Sequence, residues 1–151
     1  MSDPKILELY KQLNTINEKQ TYFLLAAAGT AIGFAVQKTE GQLLSWWLTP
    51  VALSILCWGA SFYYGCCHVA AWQNAMVYNS NALELEAGSH RSLRDGPAPR
   101  YSAMEFSFAL QDVAYEKAHR YKRAQFFLLV WGAVLFVVWH VLRIAQATYG
   151  W

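Results

Sequence analysis

Residues 41–83 read GQLLSWWLTPVALSILCWGASFYYGCCHVAAWQNAMVYNSNAL, 43 residues without one charged side chain. The central part, Leu48–Cys67, is too apolar and too long for an ordinary core helix. A helix needs about 20 mostly apolar residues to cross roughly 30 Å of hydrocarbon. Two further charge-free runs lie on either side, Thr21–Gln37 (TYFLLAAAGTAIGFAVQ) and Ala124–Leu142 (AQFFLLVWGAVLFVVWHVL). The expected fold is therefore all-α: a three-span helical membrane protein, with spans at 21–37, 48–67 and 124–145. Span one is short, about 24 Å at 1.5 Å per residue, and Lys19 and Lys38 can snorkel to lengthen it.

The rest of the 151 residues divides into short connections and helix extensions within a single membrane domain. Residues 1–20 read as an amphipathic helix. Asp3 caps it, Pro4 opens it, and Ile6, Leu9, Tyr10, Leu13 and Ile16 recur at steps of one to four residues along one face. Residues 68–123 read as a helical hairpin outside the bilayer. Its first arm continues span two for some 30 Å up to a cap at Gly88, and Trp72, Met76, Asn79 and Leu83 share a face. Its second arm runs from Tyr101 into span three without a break, with Phe106, Leu110, Val113, Lys117 and Tyr121 as a mostly apolar stripe. Between the arms, residues 89–101 have turn chemistry and no periodicity, so they read as a loop.

Lys and Arg set the orientation. The N-terminal segment carries Lys5, Lys11 and Lys19, the first loop Lys38, and the tail Arg143; the long loop carries the other seven. This alternation places the N-terminus and the hairpin in the cytoplasm and the C-terminus outside. Trp46, Trp47, Tyr149 and Trp151 suit the outer interface, and Tyr22, Tyr63, Tyr64 and Tyr121 the inner one. No cleavable signal is evident, so span one reads as a retained anchor. A formal net charge of +2 provides no overall field for nucleic acid, which is not an expected partner. Cys57, Cys66 and Cys67 do not form a spaced disulfide framework.

Four constellations bear on function. Gly29 and Gly33 form a GxxxG, and Gly59 and Gly65 add small positions on span two; such surfaces let helix backbones approach, within one chain or between copies. Thr30, Ser54, Ser61 and His140 are the candidate polar lining of a path, His140 being the one ionisable group well inside a span. Arg120, Lys122 and Arg123 crowd the cytoplasmic surface, where they meet lipid headgroups or an anionic signal. Asp112, Glu116 and His119 share a helix face, a weak metal-ligand set because a di-iron bundle needs two Glu-x-x-His motifs and this chain has one. Cys66, Cys67 and His68 at the end of span two are adjacent rather than spaced as zinc ligands require.

The expected function is non-enzymatic, with no cofactor. It is a self-assembling bacterial inner-membrane protein that forms a pore or membrane-perturbing homo-oligomer, regulated through its cytoplasmic helices. The layout is shared by many small bacterial membrane proteins, defence-type effectors among them, an analogy of architecture only. The alternative is an anchor or adaptor that docks a soluble cytoplasmic protein on the hairpin. A third reading is a metal-dependent membrane enzyme.

Overall fold

The computed structural model describes residues 4–42, 45–87 and 100–149. Among them there is no strand. Three long helices carry the chain: α1 (Pro4–Thr39, 36 residues), α2 (Thr49–Ala87, 39 residues) and α3 (Arg100–Tyr149, 50 residues). The Asp3 and Gly88 caps, nearly all of the 89–101 loop, and Trp151 lie outside the described residues.

Two of these helices are long and apolar enough to cross a membrane: α2 with the turn before it (Trp46–Leu85), and α3 (Ala103–Thr148). Only 28% and 11% of their apolar stretches are buried within the chain, whereas the core helix of a water-soluble domain is mostly buried. The apolar run of α1 is shorter and is diluted by Gly29, Thr30 and Gly33.

Between α1 and α2, Gly41 takes a left-handed backbone with φ of 74°, which ends α1 at low cost because glycine has no Cβ. A short turn leads into α2. Ser45 caps a 3₁₀ turn (Trp46–Leu48), its Oγ accepting from Trp47 N at 3.3 Å. Thr49 is already helical, and its hydroxyl donates to Trp46 O at 2.7 Å.

The chain divides into two compact units, Met1–Gly65 with Arg123–Trp151, and Cys66–Lys122. In the first, α2 and α3 run antiparallel: Trp58 Nε1 donates to Leu129 O at 3.2 Å, and Ser61 Oγ donates to Gln125 O at 2.8 Å. The buried positions of α2 here, Val51, Ser54, Trp58, Ser61 and Gly65, advance by three and four residues. So do Thr21, Leu24 and Ala28 of α1. This is the seam of a coiled coil, which a seven-residue repeat keeps turned inward. Ala35, Val51, Trp58 and Trp139 form its core, flanked by Ile32, Ile55 and Phe136.

In the second unit the seam is made of small residues. Ala75, Ala82, Ala114 and Ala118 are buried, together with His68 and Leu85. His68 Nδ1 donates to Ala118 O at 2.9 Å, and Trp72 meets Tyr115 edge to face with centroids 5.2 Å apart. The two bulkier stripes read from the sequence divide. Met76, Leu83, Phe106 and Val113 are exposed, while Trp72, Asn79 and Leu110 are half-buried. Alanine allows two helix backbones to approach and gain dispersion contacts that a bulky side chain would hold apart.

Candidate functional site

The glycines singled out from the sequence separate into two kinds. Gly65 is buried, and a Cβ there would meet Gln125 Nε2 at 2.5 Å and Leu25 Cδ2 at 2.6 Å. All three helices of the first unit meet at this level. Gly29, Gly33 and Gly59 are exposed, and a Cβ at any of them would have nothing within 4 Å. The GxxxG of α1 therefore packs on no other part of its own chain among the described residues.

The polar residues divide likewise. Ser54 and Ser61 are fully buried, and each hydroxyl is spent on a backbone carbonyl: Ser54 on Val51 O at 2.7 Å, and Ser61 on Gln125 O. Thr30 and His140 face outward, the His140 ring 6.3 Å from that of Trp139. Thr30 thus shares the exposed surface of Gly29 and Gly33 on α1.

Arg120 is exposed and pairs with Glu116 one turn back at 3.3 Å. Arg123 is exposed and Lys122 half-buried. Asp112, Glu116 and His119 are all exposed, and among the described residues no three His, Cys, Asp or Glu side chains converge as metal ligands. The three cysteines are free thiols, Cys66 exposed and Cys57 and Cys67 half-buried.

Three residues that composition and runs of hydropathy do not single out lie in the interior of the first unit. Gln125 is fully buried, and its amide oxygen and nitrogen have no hydrogen-bond partner among the described residues. Gly132 lies against the Trp58 indole, where an added Cβ would come within 2.5 Å of Nε1. Trp139 is buried, its ring tilted by 44° to that of Phe136 with centroids 5.4 Å apart. The signal was present as a seven-residue repeat along α3, through Ala118, Gln125, Gly132 and Trp139. It is weak in a hydropathy profile because it consists of small and polar residues inside an apolar run.

The outward surface of the first unit is a field of large apolar side chains. Phe23, Leu53, Leu56, Phe126, Phe127, Trp131, Val137 and Ile144 are among those exposed. Inside, small and polar residues sit beside Trp58 and Trp139, while many bulky apolar side chains lie outside, more than a domain folded in water usually shows. The chain matches no protein-family model, and neither a curated protein nor a solved structure is significantly similar to it.

Proposed function

We propose that the chain is a three-span bacterial inner-membrane protein whose copies associate through α1 to form a pore or membrane-perturbing assembly. The observation that carries this reading is the exposed Gly29-Thr30-Gly33 surface on α1, open to at least 4 Å beyond each glycine Cβ position. Lipid tails are as apolar as leucine, so helices in a bilayer gain nothing by hiding apolar faces. They associate where small residues allow close contact and polar groups bond across. A GxxxG left without a partner in its own chain fits contact with a second copy. Thr30 on that surface and His140 on the outside of α3 supply polar groups between copies. The apolar exterior of the first unit supports the membrane setting, and the Lys and Arg distribution favours a cytoplasmic side for the N-terminus and residues 68–123.

Native mass spectrometry of the detergent-solubilised protein, paired with ion flux from liposomes, tests the reading. The wild type should run as an oligomer and leak, and Gly33→Leu should reduce both. A wild-type monomer in several mild detergents, with ion-tight liposomes, would sink it.

One observation favours a second reading, an adaptor. In the second unit Met76, Val77, Leu83, Phe106, Phe108 and Val113 are exposed although that unit also displays Glu105, Asp112, Lys117 and Arg120. Large apolar groups on a surface otherwise suited to water fit the docking of a soluble protein. A co-purifying protein that is lost on Phe106→Ser, without any ion flux, would favour it over the pore.

A further inference from the structure

At the end of the first unit that carries the α1–α2 turn, a pocket of about 170 Å³ opens between α3 and the turn. A water occupies roughly 30 Å³ in the liquid, so the space suits a group of several heavy atoms. Its polar lining is Gln42, Ser45, Arg143 and Gln146, and its apolar walls are Trp47, Leu48, Trp139 and Leu142. No carboxylate lines it among the described residues.

The lining is built to donate. The Arg143 guanidinium lies 5.6 Å from the ring centroid of Trp139, an indole anchored in the core. No carboxylate pairs with Arg143 among the described residues. Its five N–H groups form a fork that matches two oxygens of a phosphate. Ser45 Oγ already accepts the Trp47 N–H, so its own hydroxyl proton is left to donate. Gln42 Nε2 gives one N–H to Lys38 O at 3.1 Å and has a second to offer. Arg143 is exposed, so water compensates its charge while the pocket is free; a cation would be repelled, and an anion would engage the guanidinium fork. The pocket asks for an anion with several acceptor oxygens. Two indoles and two leucines beside those donors ask that the anion be attached to something apolar.

We propose that this pocket binds a phosphodiester, with Arg143 holding its oxygens and Trp47, Leu48 and Leu142 lining the space for the group attached to it. Two sources share that chemistry, an anionic lipid headgroup and a soluble phosphodiester. The membrane reading favours the lipid, because Trp46 and Trp47 mark this end as a membrane interface. The site itself does not depend on assembly of copies or on a pore.

The test uses the full chain in detergent, titrated with phosphatidylglycerol or with glycerophosphoglycerol, the same headgroup without acyl chains, and read by native mass spectrometry. Wild type should hold one phosphatidylglycerol per chain that Arg143→Gln weakens at least about tenfold, the loss expected for a hydrogen-bonded charge. Arg143→Lys should fall between the two, since it keeps the charge and loses the fork. Equal affinity of glycerophosphoglycerol, also lost in Arg143→Gln, would assign the soluble source and uphold the site. Equal lipid retention by wild type and Arg143→Gln, or no binding of either compound, would overturn it. The two readings fail separately. A chain that stays in water and binds glycerophosphoglycerol through Arg143 ends the membrane reading alone, whereas an Arg143-independent membrane protein ends this one alone.

Discussion

The two units of the chain are both built from α2 and α3, yet they bury and expose different chemistry. The first packs Trp58, Trp139, Val51, Ser61 and Gln125 inside and shows Phe126, Phe127, Trp131 and Val137 outside. The second buries mainly alanines, and its outer face alternates charged side chains with Phe106, Phe108 and Val113. Close helix contact is reached by two routes. In the first unit one glycine accepts one indole, and another glycine accepts an amide. In the second, four alanines are buried, two on each helix. A fit of one large group into one gap is intolerant of added atoms, whereas a row of small residues spreads the strain. The exteriors separate the units further: the first suits a medium that does not penalise exposed aromatics, and the second suits water in part.

The largest effect should come from the rigid fit. Gly132→Val drives a side chain into the Trp58 indole, which cannot swing away because it is bonded to Leu129 O and surrounded by core. We expect a loss of about 3 kcal/mol, the upper part of the range for overpacking. Gly59→Val makes the same change where nothing lies within 4 Å, so it should cost far less. Thermal unfolding in one detergent compares them, and equal falls in Tm would break the argument. Gly65→Ala should be milder than Gly132→Ala, because the atoms it meets are the ends of flexible Gln125 and Leu25 side chains.

The second unit answers to a different probe. Ala118→Leu should widen the alanine seam and strain the His68 bond to Ala118 O, at a cost of about 1 to 3 kcal/mol. Hydrogen exchange should rise in residues 66–85 and 103–122 while residues 50–64 keep their protection. A uniform rise along α2 would mean that the two units open together, and the contrast drawn between them would lose its meaning for stability.

A smaller change of opposite sign is expected at Gln125. The buried amide lacks a partner among the described residues, and a leucine of similar size removes that penalty. Gln125→Leu should therefore gain about 1 kcal/mol. A fall in Tm would show that the amide is satisfied in solution and that the polar seam stabilises the first unit.

The smallest effect belongs to the Arg120–Glu116 pair, whose side chains are 80% and 73% exposed. Glu116→Gln should change stability by less than about 0.5 kcal/mol, and added salt should erase the difference. A larger effect would mean that this face of the second unit is covered by something in solution.

The sequence alone determined that the chain is helical, which stretches are apolar, and that α3 runs unbroken past residue 123. These depend on local properties: the absence of charge, of β-rich alternation and of breaking residues between Arg100 and Tyr149. The candidate site was less legible. Gly29, Gly33 and Thr30 could be listed from their spacing, but not whether α1 turned them toward its own chain. Ser54 and Ser61 could be listed as polar groups in a span, but not that backbone carbonyls take up their hydroxyls.

Only the tertiary structure decided which face of each helix is inside. In α2 nearly every face is apolar, so hydropathy has no direction to indicate, and the inward face mixes small residues with Val51 and Trp58. Glycine, alanine and serine let the backbones meet, and Trp58 fills the one gap that Gly132 leaves. The same selection turned Phe106 and Val113 outward and Ala114 and Ala118 inward, against the order of their hydrophobicity. The Arg143 pocket is likewise a tertiary product. Its donors lie about a hundred residues apart in the chain and share one space because the α1–α2 turn meets α3.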